Sequence, residues 1–437
     1  MANIAYELAV RLGTGAFLIS QSRRSRLSPA EREMAEERRR PLPPLDLPAD
    51  RPVYWFHAVS MGEVGVAAIL IRELKAQAPE ALAVLSTSTA TGFESAKTKI
   101  KEADTVVAAR FDSRTLIAGM FNAIRPSAVI LVEGDLWRNT LAIARRRGVP
   151  VFLANGKLSE KSLGFYRQFP LYSHSLFSRL AHVYAQTDLY RQRLIAAGLA
   201  SERCEVAGNV KLDSVAPSPC TEELAEIGAR LGCRGALPIV VFGSLHPGEE
   251  ITAVRGMLKV WQNHPGAHGV IVPRHIEKTP QFVESIRREF GLECRLYSES
   301  EASDYAGAPT ARLSLVDKMG MLTKLYALAD IAVVGGTFIP GIGGHNLTEP
   351  AFSGKPVLYG PHVGKQLGLH DLVTDFDAGG QSSAESFPDD LAALAGDPAE
   401  ARRLGANGAK MVEASRGVAA RIVEDILRRT PAFTSVL

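Results

Sequence analysis

The chain has 437 residues, more than one hydrophobic core usually organises, so its length excludes a single small sandwich or bundle and points to two domains or more. Hydrophobic residues make up 46% and charged residues 22%, the balance of an ordinary soluble protein, which excludes a disordered chain, a fibre and a polytopic membrane protein. The formal charge is +3, and residues 21–40 carry its excess with seven arginines against four glutamates, so a basic face for nucleic acid is not expected.

The first 20 residues are rich in apolar side chains but are interrupted by Glu7, Arg11 and two glycines, which leaves no uncharged run long enough to span a membrane. Arg23, Arg24 and Arg26 follow this stretch, whereas a signal peptide carries its positive charge in front. A helix lying on a membrane surface and an ordinary helix packed on the body both fit. The proline-rich run 41–52 (PLPPLDLPADRP) closes this N-terminal segment, 1–52.

From Val53 short apolar runs alternate with helical patterns. Residues 53–59, 81–87, 105–111, 128–133, 149–155 and 182–187 read as buried parallel strands, with helices over 63–76 and 136–147 among the segments between them. After a second proline-rich break the same grammar restarts at 238–244, 269–275, 293–299, 330–336 and 355–361. The economical reading is α/β with two Rossmann-like, doubly wound parallel sheets, over 53–213 and 214–395. Such sheets bind ligands beyond the C-terminal ends of their strands, and two facing sheets place the site in the cleft between them. Residues 396–437 read as helices able to cross back to the first domain. Cys204, Cys220, Cys233 and Cys294 show no metal-ligand spacing, and buried or inert thiols are expected.

Several strand ends carry candidate chemistry. Ser60-Met61-Gly62-Glu63 follows the first strand, where Glu63 can take a proton from a hydroxyl. Ser60-x-x-Glu63 is also a helix capping box, the reading that spacing alone favours. VEGDLW (132–137) sets Glu133 and Asp135 at another strand end, where a carboxylate can stabilise developing positive charge or simply favour a helix N-terminus. Lys211 in GNVK lies at the domain junction. In the second half, GSLHPGEE (243–250), with Ser244, suits an anion at a helix start, and Pro273-Arg274 offers a guanidinium for a phosphate. The glycine-rich run 335–350 leads into a turn bearing Asn346 and Glu349, a pattern suited to a nucleotide whose ribose hydroxyls meet a carboxylate. Neither a dinucleotide fingerprint nor a P-loop is present.

The ordered series HAVSMGEV, VEGDLW, LSEKS with Tyr166-Arg167, AGNVKLD, GSLHPGEE, VPRH, DKMGML, YALADIAVVGGTF, GGHNLTEPA and GKPVLYGP resembles the 3-deoxy-D-manno-octulosonic acid (Kdo) transferases over about 53–365. That resemblance implies a GT-B glycosyltransferase that moves Kdo from CMP-Kdo to the lipid A precursor of lipopolysaccharide, with inversion and without an essential metal or other cofactor. It implies that Glu63 is the general base and that Glu133 and Lys211 stabilise the transition state. It further implies that Ser244, Pro273, Arg274, the Met319-Gly320-Met321 turn, Asn346 and Glu349 hold CMP. The chain departs from the family pattern at Asp135, at Arg138 and at Asn155-Gly156-Lys157.

CMP leaves with one phosphate, which an arginine and helix N–H groups can neutralise. Residues 156–180 carry Lys157, Lys161, Arg167 and Arg179 interleaved with Phe165, Tyr166, Phe169, Tyr172 and Phe177. This stretch suits the acceptor, with Lys157, Lys161 and Arg167 meeting its phosphates, and it suits peripheral attachment to the anionic cytoplasmic face of the inner membrane. A sugar-nucleotide epimerase of similar fold and a catalytically silent binding protein are the alternatives.

Overall fold

The structure is a computed structural model and describes residues 29–213, 219–300 and 312–431. Most of the expected N-terminal membrane-surface helix lies outside the described residues. The chain forms two compact units, Met1–Ser214 with Gly417–Leu437, and Val215–Arg416.

In the first unit the elements run β1 (Val53–Ala58), α1 (Met61–Gln77), β2 (Leu82–Thr87), β3 (Thr105–Ala108), α2 (Arg114–Ile124), β4 (Ala128–Val132), α3 (Arg138–Arg146), β5 (Val151–Gly156), α4 (Glu160–Gln168), α5 (Pro170–Phe177), β6 (His182–Ala185) and β7 (Cys204–Val206). The sheet order is β3-β2-β1-β4-β5-β6-β7 and every neighbouring pair is parallel. Every residue of β1, β2, β4 and β5 is buried, because helices cover both faces of the sheet. Alternation along each strand divides these residues between two cores. Trp55, Val84, Val129, Leu131 and Leu153 pack with α2 and α3 residues such as Phe121 and Leu141 on one face. Tyr54, Phe56, Leu85, Ile130 and Phe152 pack with Leu70, Ile71 and Leu74 of α1 on the other.

The second unit contains β8 (Ile239–Leu245), α6 (Glu249–Asn263), β9 (His268–Pro273), β10 (Arg295–Leu296), β11 (Leu313–Leu315), β12 (Ile331–Val334), β13 (Val357–Tyr359), β14 (Gly379–Gln381) and α7 (Pro398–Ala414). Its sheet order is β10-β11-β9-β8-β12-β13-β14, again with parallel neighbours. The C-terminal helices divide between the units. α7 belongs to the second, while α8 (Val418–Arg429) returns to the first. There Val418, Ile422, Val423 and Ile426 join the α1 core. Asp213 caps α8, its carboxylate accepting from the Gly417 N–H at 2.6 Å and the Ala419 N–H at 2.5 Å.

Among the described residues no helix is long and apolar enough to cross a membrane. All four cysteines are free; Cys204 and Cys233 are buried as expected of inert thiols, whereas Cys220 is exposed. Each sheet reverses its winding once, between β1 and β4 in the first unit and between β8 and β12 in the second. Open parallel sheets bind ligands at such switch points.

Candidate active site

The first unit gathers its chemical groups where the winding reverses. β1 ends at Ala58 and α1 begins at Met61, so Glu63 sits in the first turn, half-buried beside the mouth of β1. Its carboxylate accepts from the Val59 N–H at 2.7 Å and from the Ser60 hydroxyl at 3.2 Å, while the Glu63 N–H donates to Ser60 Oγ at 3.5 Å. This is a capping box in which the reciprocal bond comes from the Val59 N–H, one residue before the Ser60 cap. Burial pushes the Glu63 carboxyl above the usual carboxylate range, and the charges of Glu133 and Asp135 push it the same way against the hydrogen bonds from Val59 and Ser60.

Glu133 follows β4, the neighbour of β1, and is almost wholly buried. Lys157 Nζ lies 2.5 Å from one of its oxygens and Lys211 Nζ 2.9 Å from the other, with the Asn155 amide donating at 3.2 Å. Burial alone would raise its pKa, but the Lys211 and Lys157 ammonium groups outweigh it and hold Glu133 below the usual range. One carboxylate is thus fixed as an anion while a neighbour is tuned towards proton acceptance, the separation that acid–base chemistry requires. The triad of Glu133, Lys157 and Lys211 carries one net positive charge.

The backbone is strained around these groups. Among the described residues six non-glycine residues have positive φ, and four of them are Glu133 (64°), Asp135 (59°), Asn155 (55°) and Ser244 (58°), beside the two switch points. Asn155 explains its own conformation in part: its side chain bonds Glu133, and its Oδ1 accepts from the Val210 N–H at 3.0 Å, which fixes the turn carrying Lys211.

In the second unit the corresponding residues surround β8 and β12. Ser244 lies near the end of β8 and Pro273 ends β9 opposite Leu245. The Arg274 N–H donates to the Leu245 carbonyl at 2.8 Å, which anchors the half-buried arginine at the strand ends. After β12 the glycine loop 335–344 is clamped by Glu249. This buried carboxylate accepts from the N–H groups of Gly336 at 2.7 Å, Thr337 at 3.1 Å and Phe338 at 3.0 Å. Gly335 has to be glycine, since a Cβ there would lie 2.7 Å from the Ser244 carbonyl oxygen. Asn346 Oδ1 accepts from the Thr348 N–H at 3.1 Å and its hydroxyl at 2.8 Å, which shapes the turn that ends in Glu349. His246 and His345 stack with ring centroids 5.1 Å apart and their Nε2 atoms 2.9 Å apart. Burial pushes His345 down to about 4, and Arg274, His246, Lys365 and His275 act in the same sense. Arg274 and Lys365 thus place positive charge at this end of the sheet.

The expected residues have separate fates. Glu63, Glu133, Lys157 and Lys211 come together in the first unit. Lys157, expected at an acceptor surface, instead pairs with Glu133, whereas Lys161 and Arg167 are exposed on α4. In the Met319-Gly320-Met321 turn, Met319 is exposed and Met321 packs in the core beside Leu325 and Tyr326.

Residues 27–214 match the family described as 3-deoxy-D-manno-octulosonic-acid transferase (kdotransferase). The 3-deoxy-D-manno-octulosonic acid transferase of Chlamydia trachomatis serovar D is 30% identical over 345 residues, covering 77% of each chain. The chain belongs to the Kdo transferase family. Among solved structures, Anabaena HepE in complex with UDP covers 86% of this Kdo transferase-family chain and 99% of its own, with a TM-score of 0.59 and 15% identity. A UDP-N-acetylglucosamine 2-epimerase covers 89% and 99%, with a TM-score of 0.58 and 15% identity. The fold is thus of the GT-B type, which glycosyltransferases and epimerases share, and sequence kinship rather than fold separates the two readings.

Sequence reasoning missed the supporting residues of this family member: Asn155, Glu249, and the pair His246 and His345. The second carboxylate-rich position of GSLHPGEE was a visible signal for Glu249, because two adjacent glutamates opening a helix exceed what one N-terminus needs.

Proposed function

We propose that this protein transfers Kdo from CMP-Kdo to the lipid A precursor with inversion at the ulosonic carbon. The acceptor hydroxyl attacks that carbon, its proton passes to Glu63, and the bond to the phosphate oxygen breaks with release of CMP. The carbon gains oxocarbenium character as CMP leaves, and the fixed Glu133 anion can stabilise it. Lys157 and Lys211 keep Glu133 ionised, and their excess positive charge suits the donor's sugar carboxylate.

In the second unit, Arg274 and Lys365 supply positive charge for the single phosphate of CMP, so the reaction is expected to need no metal. Glu349 and Asn346 address the ribose side, while Ser244, Pro273 and the Met319–Met321 turn complete the CMP site. Lys161 and Arg167 remain candidates for the acceptor phosphates. Their exposure beside Phe165 and Phe169 supports a peripheral position on the cytoplasmic leaflet of the inner membrane.

The observation that carries this reading is the Glu63 carboxylate, raised by burial at the β1 mouth beside a lysine-fixed Glu133, in a chain of the Kdo transferase family. Release of CMP from CMP-Kdo, measured with and without a lipid acceptor, tests it. Acceptor-dependent release with a Kdo-lipid product is expected. CMP release without that product would favour an epimerase-like reaction, and binding without release a silent binding protein.

A further inference from the structure

The first unit also holds a cavity of about 280 Å³ lined by Arg114, Arg138, Asn139, Ala142, Arg145, Arg146 and Arg179, a lining that includes neither Glu63 nor Glu133. Three elements converge to make it. Arg114 opens α2, and Arg179 follows α5 in a turn where its N–H donates to the Leu176 carbonyl at 3.1 Å. Along α3, residues 138, 142, 145 and 146 recur at helical spacing and share one face. The small Ala142 side chain leaves the space between the guanidinium groups open.

We propose that this pocket binds a phosphate-bearing ligand, as a phosphomonoester or a diphosphate group. Five arginines facing one small cavity repel one another, and an anion with several acceptor oxygens relieves that repulsion while taking planar, forked donors. The electrostatics are consistent, since burial lowers the Arg179 pKa and Arg138, Arg145 and Arg146 lower it further. Arg179 Nη1 is buried without a hydrogen-bond partner, so one donor is held ready for an oxygen from outside the chain. Arg114, Arg145 and Arg146 are exposed, as on any solvated arginine face, and it is the half-buried Arg179 with its unpartnered Nη1 that sets this cluster apart. The volume lies just below the range of about 300–1,000 Å³ typical of sites for drug-sized ligands, which suits a phosphate group rather than a whole nucleotide sugar.

The test is binding, not transfer, so its result is independent of the transferase reading. The full-length protein is titrated with inorganic phosphate and pyrophosphate, and separately mixed with phosphatidylcholine vesicles carrying either phosphatidate, whose headgroup is a phosphomonoester, or an equal surface charge of phosphatidylserine, so that general attraction to anionic lipid cancels. Arg179→Gln and the double variant Arg145→Gln/Arg146→Gln are compared with the control Lys99→Gln/Lys101→Gln, which removes two exposed charges elsewhere on the same unit. Each pocket variant should weaken binding by about tenfold or more, the value of a charge-assisted hydrogen bond, while the control leaves it within about twofold. Saturable pyrophosphate binding without phosphatidate-dependent sedimentation identifies a soluble ligand; phosphatidate-dependent sedimentation lost in the pocket variants identifies a lipid headgroup. Equal effects of the pocket and control variants, or affinities unchanged in every variant, would overturn the proposal.

Discussion

At Glu63 two readings of one sequence pattern are both physically realised. The carboxylate closes a capping box with Ser60 and Val59 and at the same time lies among acidic neighbours that raise its pKa. Spacing alone favoured the cap, and the capping geometry itself brings the side chain to the strand mouth. Glu63→Gln keeps the shape and the acceptor oxygen but cannot take a proton, so turnover should fall about 100- to 10,000-fold with CMP affinity unchanged. Because the base works only when ionised, activity should fall as pH drops through a pKa above the usual carboxylate range, and this acid limb should vanish in the variant. A pH–rate profile with CMP titration checks both, and wild-type turnover in Glu63→Gln would leave Glu63 with its cap alone. On the donor side, Arg274→Ala and Glu349→Ala should each weaken CMP binding, with only the Arg274 contribution shrinking as salt rises. Calorimetry at two ionic strengths distinguishes them, and unchanged affinity in both variants would remove CMP from this end of the sheet. The pairing of Lys157 with Glu133 was not legible, since it depends on β4 and β5 lying side by side and on the positive φ of Asn155 and Glu133.

Among the elements, the long buried strands announced themselves, as did short ones such as β10 and β13, and three short strands did not. β1, β2, β4 and β8 each bury a run of five or more residues and were legible as strands. β7, β11 and β14 have three residues each, and Gly379-Gly380-Gln381 carries no strand-forming side chain at all. Pairing with a neighbour makes such a segment a strand: Gly379 lies against Val357 so closely that a Cβ would stand 2.1 Å from the Val357 carbonyl oxygen. Helical pattern read 396–437 as one block, whereas α7 lies in the second unit and α8 in the first, with the division between Arg416 and Gly417. Ile422 is buried against the core shared with α1. Ile422→Ala should therefore cost about 2–5 kcal/mol in the first unit. The three tryptophans allow the units to be followed apart, Trp55 and Trp137 in the first and Trp261 in the second. Denaturant unfolding of single-tryptophan variants should show the Trp55 transition moved to lower denaturant with the Trp261 transition in place. Equal shifts at both would mean that the two units unfold as one.

At the scale of the whole molecule the question is where the protein stands when it meets a lipid substrate. The α4–α5 segment is anchored on one side and exposed on the other. Leu163, Leu176 and Phe177 are buried and pin it to the first unit, as in an ordinary core segment. Yet Phe165 is 50%, Phe169 46% and Leu171 88% exposed, and the Phe165 ring touches those of Phe169, Tyr166 and Tyr172 with centroids 5.0, 5.8 and 6.2 Å apart. A contiguous aromatic patch beside exposed Lys161 and Arg167 is costly in water and suited to the boundary between headgroups and acyl chains. Each basic residue near anionic lipid contributes about 1 kcal/mol, and each apolar side chain that leaves water contributes up to about 1.5–3 kcal/mol. The full-length protein should therefore float with anionic vesicles at low salt, and Phe165→Ser/Leu171→Ser should reduce the floating fraction at every salt concentration. Lys161→Gln/Arg167→Gln should reduce it chiefly at low salt, because screening already removes that contribution when salt is high. If neither double variant changes flotation, attachment rests on residues 1–40 alone; if the wild-type protein stays at the bottom at low salt, the docking surface is refuted. Resistance to both high salt and alkaline carbonate would instead require a segment that crosses the bilayer.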